Sequence, residues 1–372
     1  MSNCTVFPRR ISGVLTPPAS KSHVHRLMIV SALSGHPLTI FGNLKGDDIE
    51  ATARCLQGIG VGVERGEGYI RISPGTFRDG VMDAGESGST LRMLLPVVPV
   101  FGVRAEFRGS GRLPFRPIGD IISLMRASGA EVDGEVLPLK AGGSYSTNAF
   151  KIIEPASSQH ISGLLMALAG LGGGRIDIFG NLPSRGYVDM TIEVLREYGV
   201  EIVSDSYGFT VKSGFKKFPE SIAAEGDWSG AAAIAAAAAV AGKVTIEGLK
   251  YPSSQPDSAV LRLMSAAGAK VQVFKNGELC SVEVSKGRLK AIDFDADASP
   301  DIVPVLAAAL AYADGESSIS GVERLKIKES DRISSVVDAL NAVGIRARYD
   351  GACIGIEGGV PKGGVVDSAG AH

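Results

Sequence analysis

Cysteine is scarce in this chain: there are four in 372 residues, at Cys4, Cys55, Cys280 and Cys353, and no two form a C-x-x-C pair. That excludes a disulfide framework and a cysteine zinc site, and it fits a reducing cytoplasm. Excess charge is absent too, with 38 Lys and Arg against 40 Asp and Glu and a formal net charge of -2. No global field draws nucleic acid or an anionic membrane, so any anion site must arise from local clustering. Long apolar runs are also missing. The most apolar stretch, 230–240, is too short to span a bilayer, and Arg9-Arg10 has no apolar region behind it. What remains is an ordinary soluble composition, 45% hydrophobic and 21% charged, long enough for two domains with substantial cores.

The sequence repeats itself with a period of about seventy residues. An apolar residue followed four positions later by glycine recurs as Leu56/Gly60, Met125/Gly129, Leu195/Gly199, Met264/Gly268 and Leu340/Gly344, the glycines 69, 70, 69 and 76 residues apart. Each glycine closes an apolar-periodic stretch and precedes alternation, as in GAKVQV. This reads as a helix, a left-handed C-terminal cap and a strand. A second marker keeps step with the first: the short strands LTIFG, RAEFRG, RIDIFG, VTIEG and SISG, ending at Gly42, Gly109, Gly180, Gly248 and Gly321. Upstream of each lies a helix rich in small residues, so one unit is helix, strand, helix, strands. The Ala-rich helix around 230–240 is expected to be buried, because helices apolar all round are core elements.

The first helices open near Lys21, Gly88, Ser158, Ser229 and Asp301, with separations of 67, 70, 71 and 72. The next opening is due near residue 372, and a sixth unit is expected to begin there. Any one polar opening is most simply a helix cap. Several together suggest more, since helix N-termini favour anions through their free N–H groups and dipole. In SKSHVHR, Lys21 and Ser22 sit at a helix start with Arg26 four positions beyond Ser22, a crowding of cations most easily understood around an anion. GESGSTLR supplies a small-residue loop where Gly88 lets backbone approach a ligand, followed by Arg92. PASSQH offers Ser157, Ser158 and Gln159. In ERLKIKESDR, Lys328 and Arg332 lie four apart, able to bind anionic oxygen, with Glu329 between them placed to exchange protons; a solvated charged turn is the plainer reading.

Taken in order, SKSHVHR, GESGSTLRML, FRPIG, SSQHISGLLMA, EGDWSGAA, PD and LKIKESDR resemble the enolpyruvylshikimate-phosphate synthase family over residues 15–372. The resemblance implies a two-domain inside-out α/β barrel of repeated βαβαββ units, with the sixth unit incomplete. The domains expected are 14–226, on the shikimate 3-phosphate side, and 1–13 with 227–372. It implies transfer of the enolpyruvyl group of phosphoenolpyruvate to the 5-hydroxyl of shikimate 3-phosphate by addition and elimination, in a monomer needing neither metal nor cofactor. By the same resemblance Lys21, Asp301 and Glu329 are catalytic. Lys21, Ser22, Arg26, Ser157, Ser158, Gln159, Ser184, Tyr187, Asp301 and Lys328 meet shikimate 3-phosphate. Lys21, Gly88, Arg116, Gln159, Lys328 and Arg332 surround phosphoenolpyruvate.

Two departures stand out. Glu86 occupies a position usually held by Asn, adding negative charge near an anion site. Family members also carry an arginine and a lysine beyond the position of His372 that grip phosphoenolpyruvate, so weak binding and little turnover are expected of these 372 residues alone. The related UDP-N-acetylglucosamine enolpyruvyl transferases carry a cysteine five residues before their Arg-Pro pair, where this chain has Gly111 before Arg116-Pro117. An RNA 3′-phosphate cyclase would need an electropositive surface that the balanced charge does not offer. A catalytically inert binding domain is the alternative of another class.

Overall fold

The computed structural model describes residues 4–328 and 330–367. The chain divides into two compact units, Pro18–Glu225 and a second formed by the residues up to Pro17 with those from Gly226 onward. Here they are called the internal and the terminal unit.

One pattern builds both. The internal unit holds three four-stranded sheets, in the orders Ser221–Ala223, Leu38–Phe41, Tyr69–Ser73, Gly62–Gly66; then Gly80–Asp83, Ala105–Arg108, Leu139–Gly143, Ala130–Asp133; and Ala149–Ile153, Gly174–Phe179, Gly208–Val211, Ile202–Asp205. Among the described residues the terminal unit holds two: Ile11–Leu15, Gly242–Leu249, Leu279–Ser285, Lys270–Asn276, and Asp293–Asp295, Glu316–Ser320, Ile354–Glu357, Arg346–Tyr349. In every sheet the first two strands are parallel and the last two form an antiparallel hairpin. A parallel pair requires a crossover, and in three of the five sheets the small-residue helix between the two strands supplies it. The sixth unit, expected from residue 372, falls outside the described residues.

Helices lie inside each unit and sheets outside. The helix Lys21–Ser34 is buried continuously from His23 to Ala32, and Ser158–Gly170 is buried almost throughout. The Ala-rich Trp228–Ala241 helix packs into the core of the terminal unit, as expected, with Trp228 wholly enclosed. The strands alternate, so that Phe150 and Ile152 are buried while Ile153 is exposed. The second helices of the units, such as Gly186–Glu197, bury one stripe only. This is the inside-out arrangement expected from the sequence.

The five cap glycines carry the positive φ anticipated for them: 100° at Gly60, 96° at Gly129, 71° at Gly199, 102° at Gly268 and 79° at Gly344. At Gly60 the close approach is as demanding as the dihedral, since a Cβ there would lie 2.2 Å from the Thr76 carbonyl oxygen. No helix among the described residues is long and apolar enough to cross a membrane.

Candidate functional site

Capping at four of the five openings is done by the residue just before the helix. Ser20 accepts from His23 N–H, Ser87 from Thr90, Ser157 from Gln159 and Asp227 from Gly230. Lys21, Ser158 and Ser229 are therefore not needed as caps, whereas Ser157, expected as a ligand, is one.

In the internal unit three openings are joined by hydrogen bonds. Lys21 Nζ lies 3.0 Å from Asp48 Oδ2, and the lysine side chain is 56% exposed. Asp48 also accepts from the Ser87 hydroxyl. From Ser87 a chain of hydroxyls runs inward: Thr90 Oγ1 donates to Ser87 Oγ at 2.8 Å, Thr52 and Thr90 meet at 2.7 Å, and Thr52 meets His25 Nδ1 at 2.7 Å. Burial pushes the Asp48 carboxyl up, but the Lys21 ammonium, His25 and the Lys21 and Ser87 hydrogen bonds together hold it below its ordinary range. Burial lowers His25 to about 3, so its imidazole is neutral, with Nε2 enclosed and unpartnered.

The second and third openings meet at Gln159, whose Nε2 donates to Ser89 Oγ at 2.7 Å while its Oε1 accepts from Arg92 at 3.4 Å. Arg116 lies directly over Gly88, where a Cβ would come within 2.6 Å of Nη1. Two residues 28 apart in sequence, both expected at one anion site, are thus in contact. Glu86 folds over Gly111, its carboxylate 2.5 Å from where a Cβ would stand. Ser184 is buried and adopts φ 48°, a left-handed conformation that is unusual for a non-glycine residue and that collects at functional sites.

Arg26 behaves differently from expectation. It is 2% exposed, and its guanidinium donates to Thr191 Oγ1 (2.7 Å), Ser22 O (2.6 Å), Ser162 Oγ (3.2 Å) and Tyr187 O (2.7 Å). Four of its five N–H groups therefore tie three helices together. Burial lowers its pKa to about 10, leaving it charged at neutral pH. Lys21 and Arg26 each have protein partners, so their proximity does not itself call for a ligand. Replacing Arg26 by leucine is expected to cost roughly 3 kcal/mol or more, because several buried acceptors lose their donor. Urea unfolding of the whole chain checks this; an unchanged midpoint with lost anion binding would make Arg26 a direct ligand.

The terminal unit carries the other expected residues. Asp301 Oδ1 accepts from Arg332 Nη1 at 2.7 Å and stands 3.2 Å from Lys328 Nζ. The two cations four apart do bind anionic oxygen, and here that oxygen belongs to the protein. Asp331 caps the Arg332–Ala342 helix, accepting from Ile333 N–H and Ser334 N–H. Glu329 lies outside the described residues. Beside this group Ser229 Oγ donates to Asp257 Oδ2 at 2.5 Å, and Asp227 is nearby. Among the described residues no cluster of three or more His, Cys, Asp or Glu has the geometry to hold a metal ion.

Residues 7–372 match the model of a family described as EPSP synthase (3-phosphoshikimate 1-carboxyvinyltransferase). The chain belongs to the EPSP synthase family. A 3-phosphoshikimate 1-carboxyvinyltransferase of Methanopyrus kandleri is 33% identical, over 97% of this chain and 87% of that protein. The enzyme of the same name from Aeropyrum pernix is 35% identical, over 99% and 86%. The solved EPSP synthase of Acinetobacter baumannii superposes with a TM-score of 0.80 at 25% identity, covering 95% of this chain and 83% of that one. The enolpyruvyl transferase NikO of Streptomyces tendae shares the fold at 15% identity and a TM-score of 0.68.

In this member of the EPSP synthase family, Asp48, His25 and Asp257 are drawn into these clusters by the fold and are not singled out by the sequence, and Ser229, legible only as a helix opening, proves to be bonded to Asp257. Asp227 and Ser229 stood in the EGDWSGAA segment and were open to notice. Asp48 reads as one of several acids in the first turn of the Asp47–Gly58 helix, where they favour the dipole, and its pairing with Lys21 is tertiary.

Proposed function

We propose that this chain transfers the 1-carboxyvinyl group of phosphoenolpyruvate to the 5-hydroxyl of shikimate 3-phosphate, releasing phosphate. The observation that carries this reading is the Lys21 ammonium tethered to Asp48 at the opening of one inner helix, with Ser89, Arg92 and Gln159 hydrogen-bonded at the openings of the next two. The full-length similarity to 3-phosphoshikimate 1-carboxyvinyltransferases supports it. The chemistry needs two proton transfers of opposite sense. The hydroxyl loses its proton as it attacks the second carbon of phosphoenolpyruvate, whose methylene gains one; the resulting methyl group then returns a proton as phosphate leaves. Lys21 and Asp301 are the proton-transfer groups, together with Glu329. Lys328, Arg332 and Arg116 neutralise phosphate and carboxylate, and Ser158, Gln159, Ser184 and Tyr187 receive shikimate 3-phosphate on the internal unit. Small phosphorylated molecules are thus the partners, in a cytoplasmic enzyme.

Calorimetry and phosphate release test this together. Shikimate 3-phosphate is expected to bind, and phosphate is expected to appear from phosphoenolpyruvate only when it is present. Binding of UDP-N-acetylglucosamine in its place would transfer the assignment to the other enolpyruvyl transferases, and binding of neither would leave a protein without this activity.

A further inference from the structure

Asp257 takes no part in the chemistry assigned above, yet it is the most enclosed acid in the terminal unit's polar cluster. It sits in the turn Pro256–Ser258 that leads into the helix Ala259–Ala266, where an aspartate ordinarily caps. Instead its side chain is 2% exposed, with Oδ2 bonded to Ser229 and Oδ1 buried without a partner. The segment cannot swing it outward. Gln255 Oε1 accepts from Trp228 N–H and Gln255 Nε2 donates to Gly226 O, each at 2.9 Å, and Ser299 Oγ donates to Pro256 O at 2.8 Å. The charges that act on Asp257 are those of Asp301 and Asp227, of its own sign, and Lys328. Lys328 is already engaged with Asp301, as is Arg332. An enclosed carboxylate with one bare oxygen and two acidic neighbours is costly, and a carboxylic acid there costs far less.

We propose that Asp257 is a positioning residue that works as a neutral, proton-holding carboxyl. It fixes the Ser229 hydroxyl at the opening of the Trp228–Ala241 helix and leaves the Lys328 ammonium undrawn by a second carboxylate from the Pro256–Ser258 turn, so that this cluster accepts an anionic substrate best while Asp257 keeps its proton. The proposal rests on the reading of Asp301, Lys328 and Arg332 as substrate-facing groups. Burial, then the charge of Asp301, pushes Asp257 up to about 7. As pH rises through that value Asp257 becomes negative, competes for Lys328 and repels phosphoenolpyruvate. The KM for phosphoenolpyruvate therefore climbs on the alkaline side.

Two measurements on the whole chain decide the matter. With aspartate labelled at its carboxyl carbon, NMR is expected to show one resonance that titrates near neutrality and is absent from Asp257→Asn. If every aspartate titrates in the ordinary acidic range, the proposal is overturned, whether or not the chain turns over. In kinetics, the KM for phosphoenolpyruvate is expected to rise by up to about tenfold per pH unit above the midpoint and to lose that rise in Asp257→Asn; the same rise persisting in the variant overturns the proposal. Should Asp257→Asn fail to fold, Ser229→Ala removes the hydrogen bond that favours the charged form and must move the neutral-range midpoint upward. An unmoved midpoint overturns the proposal. Absence of any transfer by the unaltered chain would count against the enzymatic reading, while the NMR titration would still report the state of Asp257.

Discussion

Replacing Lys21 by methionine is expected to lower shikimate 3-phosphate-dependent phosphate release by about 10²–10⁴-fold, the range that a positioned proton-transfer group supplies. The lysine opens the helix Lys21–Ser34, is anchored 3.0 Å from Asp48 and keeps more than half of its side chain exposed. Its ammonium is therefore tethered to one carboxylate. Asp48, kept ionised by that ammonium and by Ser87, favours the protonated lysine in return. Methionine preserves the length and apolar stem and removes both charge and proton. Arginine separates the two, since a guanidinium retains the charge but releases no proton at any pH the enzyme meets. Lys21→Arg should keep binding of shikimate 3-phosphate by calorimetry and still fail to turn over. Turnover restored to within about tenfold of the unaltered chain would remove Lys21 from proton transfer and leave it an electrostatic contact.

Asp301→Asn should also cost about 10²–10⁴-fold in kcat, but with an opposite accompaniment. Asp301 receives Arg332 at 2.7 Å and stands 3.2 Å from Lys328, so its carboxylate and any anionic ligand compete for the same two cations. Neutralising it removes the proposed proton acceptor and weakens its hold on the cations. The KM for phosphoenolpyruvate is then expected to hold or fall while kcat collapses, a split that loss of folding would not produce. A variant with kcat intact would show that the carboxylate serves only to place Lys328 and Arg332. A raised KM with unchanged kcat would assign it to substrate binding.

How far the sequence reveals this molecule depends on how local each cause is. The glycines Gly60 to Gly344 are legible because a left-handed cap is a property of one residue and its immediate neighbours, and all five adopt it. The openings of the inner helices are legible for the same reason. Pairing is not local. Ile11–Leu15 finds its partner at Gly242–Leu249, and Ser221–Ala223 at Leu38–Phe41, separations that no period in the sequence announces. The site divides along the same line. Lys21, Gln159, Lys328 and Arg332 could be singled out by type and spacing, whereas the closeness of Arg116 to Gly88 is a product of the fold. Arg26 looks identical to a ligand in the sequence, and only its four partners show that most of its hydrogen-bonding capacity is spent inside the protein. Asp257 reads as a commonplace turn acid until its burial is seen.

The two distant strand pairings set an order on assembly during synthesis. The Leu38–Phe41 sheet stays one strand short until residues 221–223 have left the ribosome, and by then every other part of the Pro18–Glu225 unit is available. The segment 11–15 must wait for 242–249 before its edge is covered. A nascent chain thus carries an unmatched strand until residues 242–249 emerge, which makes that segment the natural place for a chaperone to hold and for premature association to begin.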